Sequence, residues 1–192
     1  LVAEVRGRLP GASVVLQLDE PSLPAVLTGQ IRYSSGARRV AAVPEPDAEQ
    51  ALRSLVAAAG APVVVHCCAP RPPVAVLRRA GAAGLSLDLT LLPRDLDEVV
   101  GEALEAGTRL FAGVVPSTDS ALTDPAASVA PVRGLWRRLG LSAESLRAVV
   151  VTPTCGLAGA SPAYARTALR TAREGARQLA EDPEADAATE ET

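Results

Sequence analysis

Lysine, asparagine and methionine are absent from this sequence, histidine occurs once, and aromatic residues make up 2% of it. All 19 basic residues are therefore arginine, against 22 acidic ones, for a net charge of −3. A mildly acidic chain with no basic patch and few rings to stack on bases gives nucleic-acid binding little support. No apolar run approaches the ~20 residues that a bilayer span needs. No signal-peptide pattern opens the sequence as given. Three cysteines are an odd count, which does not read as a disulfide framework and points to the reducing cytoplasm. The bias toward Ala, Arg, Pro and Val reads as GC-rich codon usage. The missing methionine and the helix-like opening Leu1-Val2-Ala3-Glu4-Val5-Arg6 lead to the expectation that the natural N-terminus lies further upstream.

What is present is a regular alternation of short apolar runs and amphipathic segments. Residues 13–20 (Ser-Val-Val-Leu-Gln-Leu-Asp-Glu) read as a strand ending in two carboxylates. A Pro/Gly/Ser-rich stretch over 21–46 exceeds the usual connection and reads as a functional loop. Asp47 is expected to cap a helix through Ala59 that Gly60 ends. Further strands are expected over 63–68, 85–89, 109–115 and 148–151. Helices are expected over 74–80, 95–106 and 131–139, and a last one opens at Ser161-Pro162. The tail over 181–192 is acidic and Ala-rich, and is expected to be disordered. Strict β-α alternation means parallel βα units.

The chemistry-bearing residues fall at the C-terminal ends of these strands: Asp19, His66, Cys68, Asp88, Asp119 and Cys155. That is the active face of a (β/α)8 barrel. A doubly wound sheet also binds at carboxyl ends, near a switch point. No Gly-x-Gly-x-x-Gly and no P-loop is present, so the barrel is the expected fold. Five βα units cannot close eight strands, so the chain over 1–180 reads as roughly the last five units of a barrel. Its first strand would then present an open edge.

The lone histidine stands in Val-Val-Val-His66-Cys67-Cys68-Ala-Pro. Strand alternation puts His66 and Cys68 on one face and Cys67 on the other. Cys155 ends another strand, in Thr-Pro-Thr-Cys-Gly-Leu. Imidazole and thiolates at one rim suit zinc. Singly, each of these residues has an ordinary structural role, because cysteine is common in cores; their joint placement at strand ends favours metal. Asp88, inside an apolar strand, needs a partner or a metal, because desolvating a lone carboxylate costs several kcal/mol. Cys67 reads as core packing, and Trp136 as a packing residue on the helix of Leu135 and Leu139.

Four motifs in order resemble the C-terminal catalytic barrel of cobalamin-independent methionine synthases, in their short single-barrel form. They are Leu18-Asp19-Glu20-Pro21-Ser22-Leu23, His66-Cys67-Cys68, Leu87-Asp88 and Pro153-Thr154-Cys155-Gly156-Leu157. The resemblance covers nearly the whole chain and implies a zinc-dependent methyltransferase making methionine from homocysteine. It implies His66, Cys68 and Cys155 as zinc ligands, with Asp88 as a fourth, exchangeable ligand where relatives often have Glu. It implies that Asp19 pairs with the substrate ammonium. Two positions depart from the folate-using members. Ala25 stands where they have a folate-contacting Glu. The loop 115–120 lacks their proton-donating His, leaving Asp119 as the only candidate acid there. The methyl donor is methyltetrahydrofolate or a methylcorrinoid, and these departures point to the corrinoid. Two other readings remain: a corrinoid-dependent thiol methyltransferase with another acceptor, and a non-catalytic barrel remnant. With an open first edge, the chain is expected to be unstable, oligomeric or completed by a missing N-terminal half-barrel.

Overall fold

The structure, a computed structural model, describes residues 1–34, 36 and 38–184. Helix α1 (Val2–Arg8) precedes strand β1 (Leu16–Asp19), and a short helix α2 (Leu23–Leu27) follows. Then come α3 (Glu45–Ala58), β2 (Val63–Cys67), α4 (Val74–Arg79), β3 (Gly84–Asp88) and α5 (Asp97–Glu105). The remaining elements are β4 (Arg109–Val115), α6 (Pro125–Ser128), α7 (Ala130–Leu139), β5 (Val150–Pro153) and α8 (Pro162–Glu181).

The five strands form one parallel sheet in the order β1-β2-β3-β4-β5. Right-handed crossovers between sequential strands all fall on the same side, so a sheet that never reverses its order has no switch point. This winding is consistent with part of a (β/α)8 barrel and not with a doubly wound sheet. Within the described residues the sheet is open, with β1 and β5 at its edges. The first expected strand, 13–20, is shorter than anticipated, and Val15 is exposed ahead of it.

Alternate residues of the strands carry the core. Val63, Val65 and Cys67 of β2, Leu85 and Leu87 of β3, and Leu110 and Ala112 of β4 pack with Leu52, Leu77, Val100, Leu135 and Ala172 of the helices. On that side Cys67 is fully buried, in keeping with a packing role, and Trp136 is buried with its Nε1–H donating to Ser145 Oγ at 2.7 Å. The opposite face carries Gln17, Asp19, Val64, His66, Ser86 and Phe111, which the register aligns across the strands.

Further boundaries differ from expectation. Residues 21–46 are not one loop: α2 forms there, with Pro24 in its first turn and Leu23 buried beneath it. Pro at that turn sacrifices only an N–H that has no helical partner. For the same reason α3 begins before Asp47, with Pro46 in its first turn and Pro44 as the flanking residue. Strand β5 lies two residues later than expected because a 3₁₀ segment, Ala143–Ala148, occupies the stretch before it. The expected tail begins as helix: Glu181 is the last residue of α8, and residues 185–192 lie outside the described residues. Among the described residues, no helix is long and apolar enough to cross a membrane.

Candidate metal centre

Three β-branched residues place β2 in the interior of the sheet, between β1 and β3, and the strand reaches the rim with His66 buried and Cys68 half-buried just beyond. Cys155 follows β5 by two residues and is exposed. The candidate ligand atoms of His66, Cys68 and Cys155 all lie within 4.8 Å of one another, and the two sulfurs are 3.5 Å apart. This joins residues from strands at opposite parts of the sheet.

The ring of His66 is fixed at one nitrogen. Its Nδ1 lies 2.9 Å from the hydroxyl of Ser86, which is also buried and stands opposite His66 in the β2–β3 register. Its Nε2 is buried and has no hydrogen-bond partner among the described residues. A buried polar atom of this kind costs about 1–3 kcal/mol unless something else satisfies it. An imidazole nitrogen in need of a partner, beside two thiols, fits a soft divalent metal such as zinc. Burial, followed by the neighbouring Cys155, pushes the Cys68 thiol up to about 11. Burial also raises the Cys67 thiol.

Asp88 does not join this group. It is half-buried rather than enclosed, and its Oδ1 accepts from the backbone N–H of Thr90 at 2.9 Å and from the Thr90 hydroxyl at 2.6 Å. That is a turn-type arrangement, which meets the need for a partner that its apolar strand implied. Asp19 is exposed at the end of β1, where its Oδ1 accepts from Gln17 Nε2 at 2.8 Å. Beside it, burial and then the Asp19 charge hold the carboxyl of Glu20 above its usual range. Asp119 is exposed and accepts from the Ser161 backbone N–H at 2.7 Å. Hydrogen bonds from Ser161 hold its carboxyl below the usual range. The loop after β4 is tied to the start of α8 a second time, by Tyr164 Oη–H donating to the Pro116 carbonyl at 3.0 Å.

Two residues that the sequence reading passed over shape the site. One is Ser86. The other is Gly113 of β4: a Cβ there would stand 2.9 Å from both the Leu87 carbonyl oxygen and the Thr154 Cα. The bare glycine lets the chain after β5 cross close to β4, where the Thr154 N–H donates to the Val115 carbonyl at 2.8 Å. Cys155 is the next residue. A glycine inside a strand is the sequence signal for such an approach.

Next to the loop that carries Cys68, a cleft of about 590 Å³ opens between α2 and the start of α4. Pro21, Ala25, Leu27, Ala69, Pro70 and Arg71 are among the residues that line it. Arg71 stands at a left-handed φ of 57° and pairs with Asp95, holding the loop after β2 to the loop after β3.

Comparison with curated protein sequences returned no match. A family model for the catalytic domain of cobalamin-independent synthases matches residues 1–178, nearly the whole of a chain whose strand-end histidine and cysteines converge at one rim, and the chain belongs to that family.

Proposed function

We propose that this chain is a zinc-dependent methyltransferase that passes a methyl group to the thiol of homocysteine, forming methionine. The observation that carries this reading is the convergence of His66, Cys68 and Cys155 around an unpartnered buried imidazole nitrogen. Family membership supports methyl transfer to homocysteine over transfer to another thiol acceptor or a non-catalytic remnant. In this reading these three residues hold the metal, and zinc, when bound, keeps an acceptor sulfur as a thiolate that is nucleophilic near neutral pH. Three protein ligands leave one position for that sulfur, as catalytic zinc sites do. Asp88 is the proposed exchangeable fourth ligand, and taking that place requires its Oδ1 to leave Thr90. Asp19, at the rim, is proposed to receive the substrate ammonium.

The donor is proposed to be a methylcorrinoid rather than methyltetrahydrofolate. A departing folate takes up a proton; a departing corrinoid does not. Asp119 is the only acid proposed for that role in its loop. Its hydrogen bonds from Ser161 favour the charged, accepting form, which suits anchoring α8 better than donating a proton. Ala25 adds an apolar methyl to the lining of the cleft beside the site.

The test is metal analysis followed by steady-state transfer to homocysteine from the two donors side by side. The expected result is one zinc per chain and faster turnover with the methylcorrinoid. Robust turnover with methyltetrahydrofolate, lowered by Asp119→Ala, would overturn the donor assignment. A chain that takes up no metal would overturn the whole reading.

A further inference from the structure

We propose that Ser86 is a positioning residue for the metal centre: it accepts a hydrogen bond from His66 Nδ1–H and thereby fixes the lone pair of Nε2 on the side of the two thiols. The inference rests on the metal reading above for its purpose, but its physical content is a statement about one ring and one hydroxyl.

A neutral imidazole carries a single hydrogen, on one nitrogen or the other, and only the bare nitrogen can bind a metal. Nδ1 of His66 sits 2.9 Å from Ser86 Oγ, with both residues buried. The two possibilities have different consequences at Nε2. If Ser86 donates to Nδ1, the hydrogen sits on Nε2, a buried N–H with no acceptor in hydrogen-bond range among the described residues. An Nε2 in that form has no lone pair to offer a metal. If Nδ1–H donates to Ser86, Nε2 offers a lone pair into the group formed with Cys68 and Cys155. Only the second arrangement gives the orphaned atom a function. Partners of this kind set ligand tautomer and ring orientation in metal sites generally.

The register makes this contact obligatory rather than incidental. His66 and Ser86 are partners across adjacent parallel strands, so their side chains leave the sheet on the same face. Leu85 and Leu87 on either side of Ser86 point into the helix-covered core and lock that register.

Because His66 is the only histidine in the chain, its ring nitrogens give one unambiguous set of signals in a long-range ¹H–¹⁵N correlation spectrum. The spectrum is recorded on metal-free protein at about pH 8, above the ordinary imidazole pKa of about 6.5. The expected result is hydrogen on Nδ1 in the native protein and a shift toward hydrogen on Nε2, the form an unconstrained imidazole favours, in Ser86→Ala. Zinc affinity, measured by competition with a chromophoric chelator, is expected to fall about ten- to a hundredfold in Ser86→Ala. Ser86→Thr, which keeps the hydroxyl, is expected to restore both readings. Native protein with its hydrogen on Nε2 overturns the proposal without any variant, so a misfolded Ser86→Ala does not shelter it. A Ser86→Ala protein with the native tautomer and native zinc affinity also overturns it. Failure of the native protein to bind zinc, with the tautomer as proposed, overturns the metal reading and leaves the role of Ser86 toward His66 standing.

Discussion

The sulfurs of Cys68 and Cys155 lie 3.5 Å apart although 87 positions separate the two residues in sequence. Cys67, which directly precedes Cys68, shares none of this. It points into the helix-covered core, where it is fully buried. Cys68→Ser should therefore lose zinc, whereas Cys67→Ala should keep it and lose about 1 kcal/mol or more of stability from the vacated core volume. Metal content by mass spectrometry and a denaturant titration on each variant separate the two effects. Equal zinc loss in both would refute the strand alternation assumed for the site.

In metal-free protein, hydrogen peroxide should join Cys68 to Cys155. The two thiols give up two hydrogens and two electrons, the S–S bond forms, and the peroxide leaves as two waters. Thiol titration should then find one of the three cysteines still reduced, and peptide mapping should identify it as Cys67. Prior loading with zinc should slow the loss of thiols. A bridge that includes Cys67 would contradict the geometry.

Gly113→Ala should disturb the metal centre without touching a ligand. The added methyl meets two backbone atoms at 2.9 Å, and backbone cannot swing aside as a flexible side chain can. Overpacking of this kind typically costs about 1–3 kcal/mol. It should appear as a lower Tm together with weaker zinc binding, because the displaced segment carries Cys155. Gly107→Ala is the contrasting variant: its Cβ would meet nothing nearby, so any cost comes from its φ of 87° alone and should leave zinc affinity unchanged.

Asp119→Ala should lower Tm at pH 7 by releasing the start of α8 from the loop after β4. The folded protein holds this carboxyl below its ordinary value of 3.8. A depressed carboxyl contributes stability above its unfolded pKa and loses that contribution as pH falls through the folded one. The Tm gap between native and variant protein should therefore be full at neutral pH and shrink below about pH 4. A gap that persists unchanged in acid would show that the carboxylate charge is not what ties the loop down.

The sequence reveals elements wherever their boundaries are chemically marked. Strand β4 follows Gly107 and stops before Pro116, and its apolar run matches the observed Arg109–Val115 at both ends. Strand β5 lacks such a marker: Val149, Val150 and Val151 read alike, and only the fold decides that Val149 closes a turn by donating to the Leu146 carbonyl. Helix α2 was hidden because five residues with a proline in their first turn look like loop, and its stability comes from burying Leu23 rather than from propensity. At the site, the alternation on β2 was enough to separate Cys68 from Cys67. Pairing of His66 with Ser86 depends on the alignment of two strands and so has no signature in either strand alone. Asp88 was legible as an acid needing a partner, but whether that partner is a metal or Thr90 depends on a turn that local sequence leaves open.

One consequence follows from the order of the strands. Two strands, β3 and β4, stand between β2 and β5. In a flat sheet those three steps would hold β2 and β5 about 14 Å apart. Sulfurs at 3.5 Å beyond their ends are reached in part because the segment after β5 packs against β4, which carries Cys155 toward the end of β2. Ligand spacing and the seating of that segment are therefore linked. A substitution that lifts the segment off β4 draws the two thiols apart, and an ion held by His66, Cys68 and Cys155 together would resist that lifting from the other end.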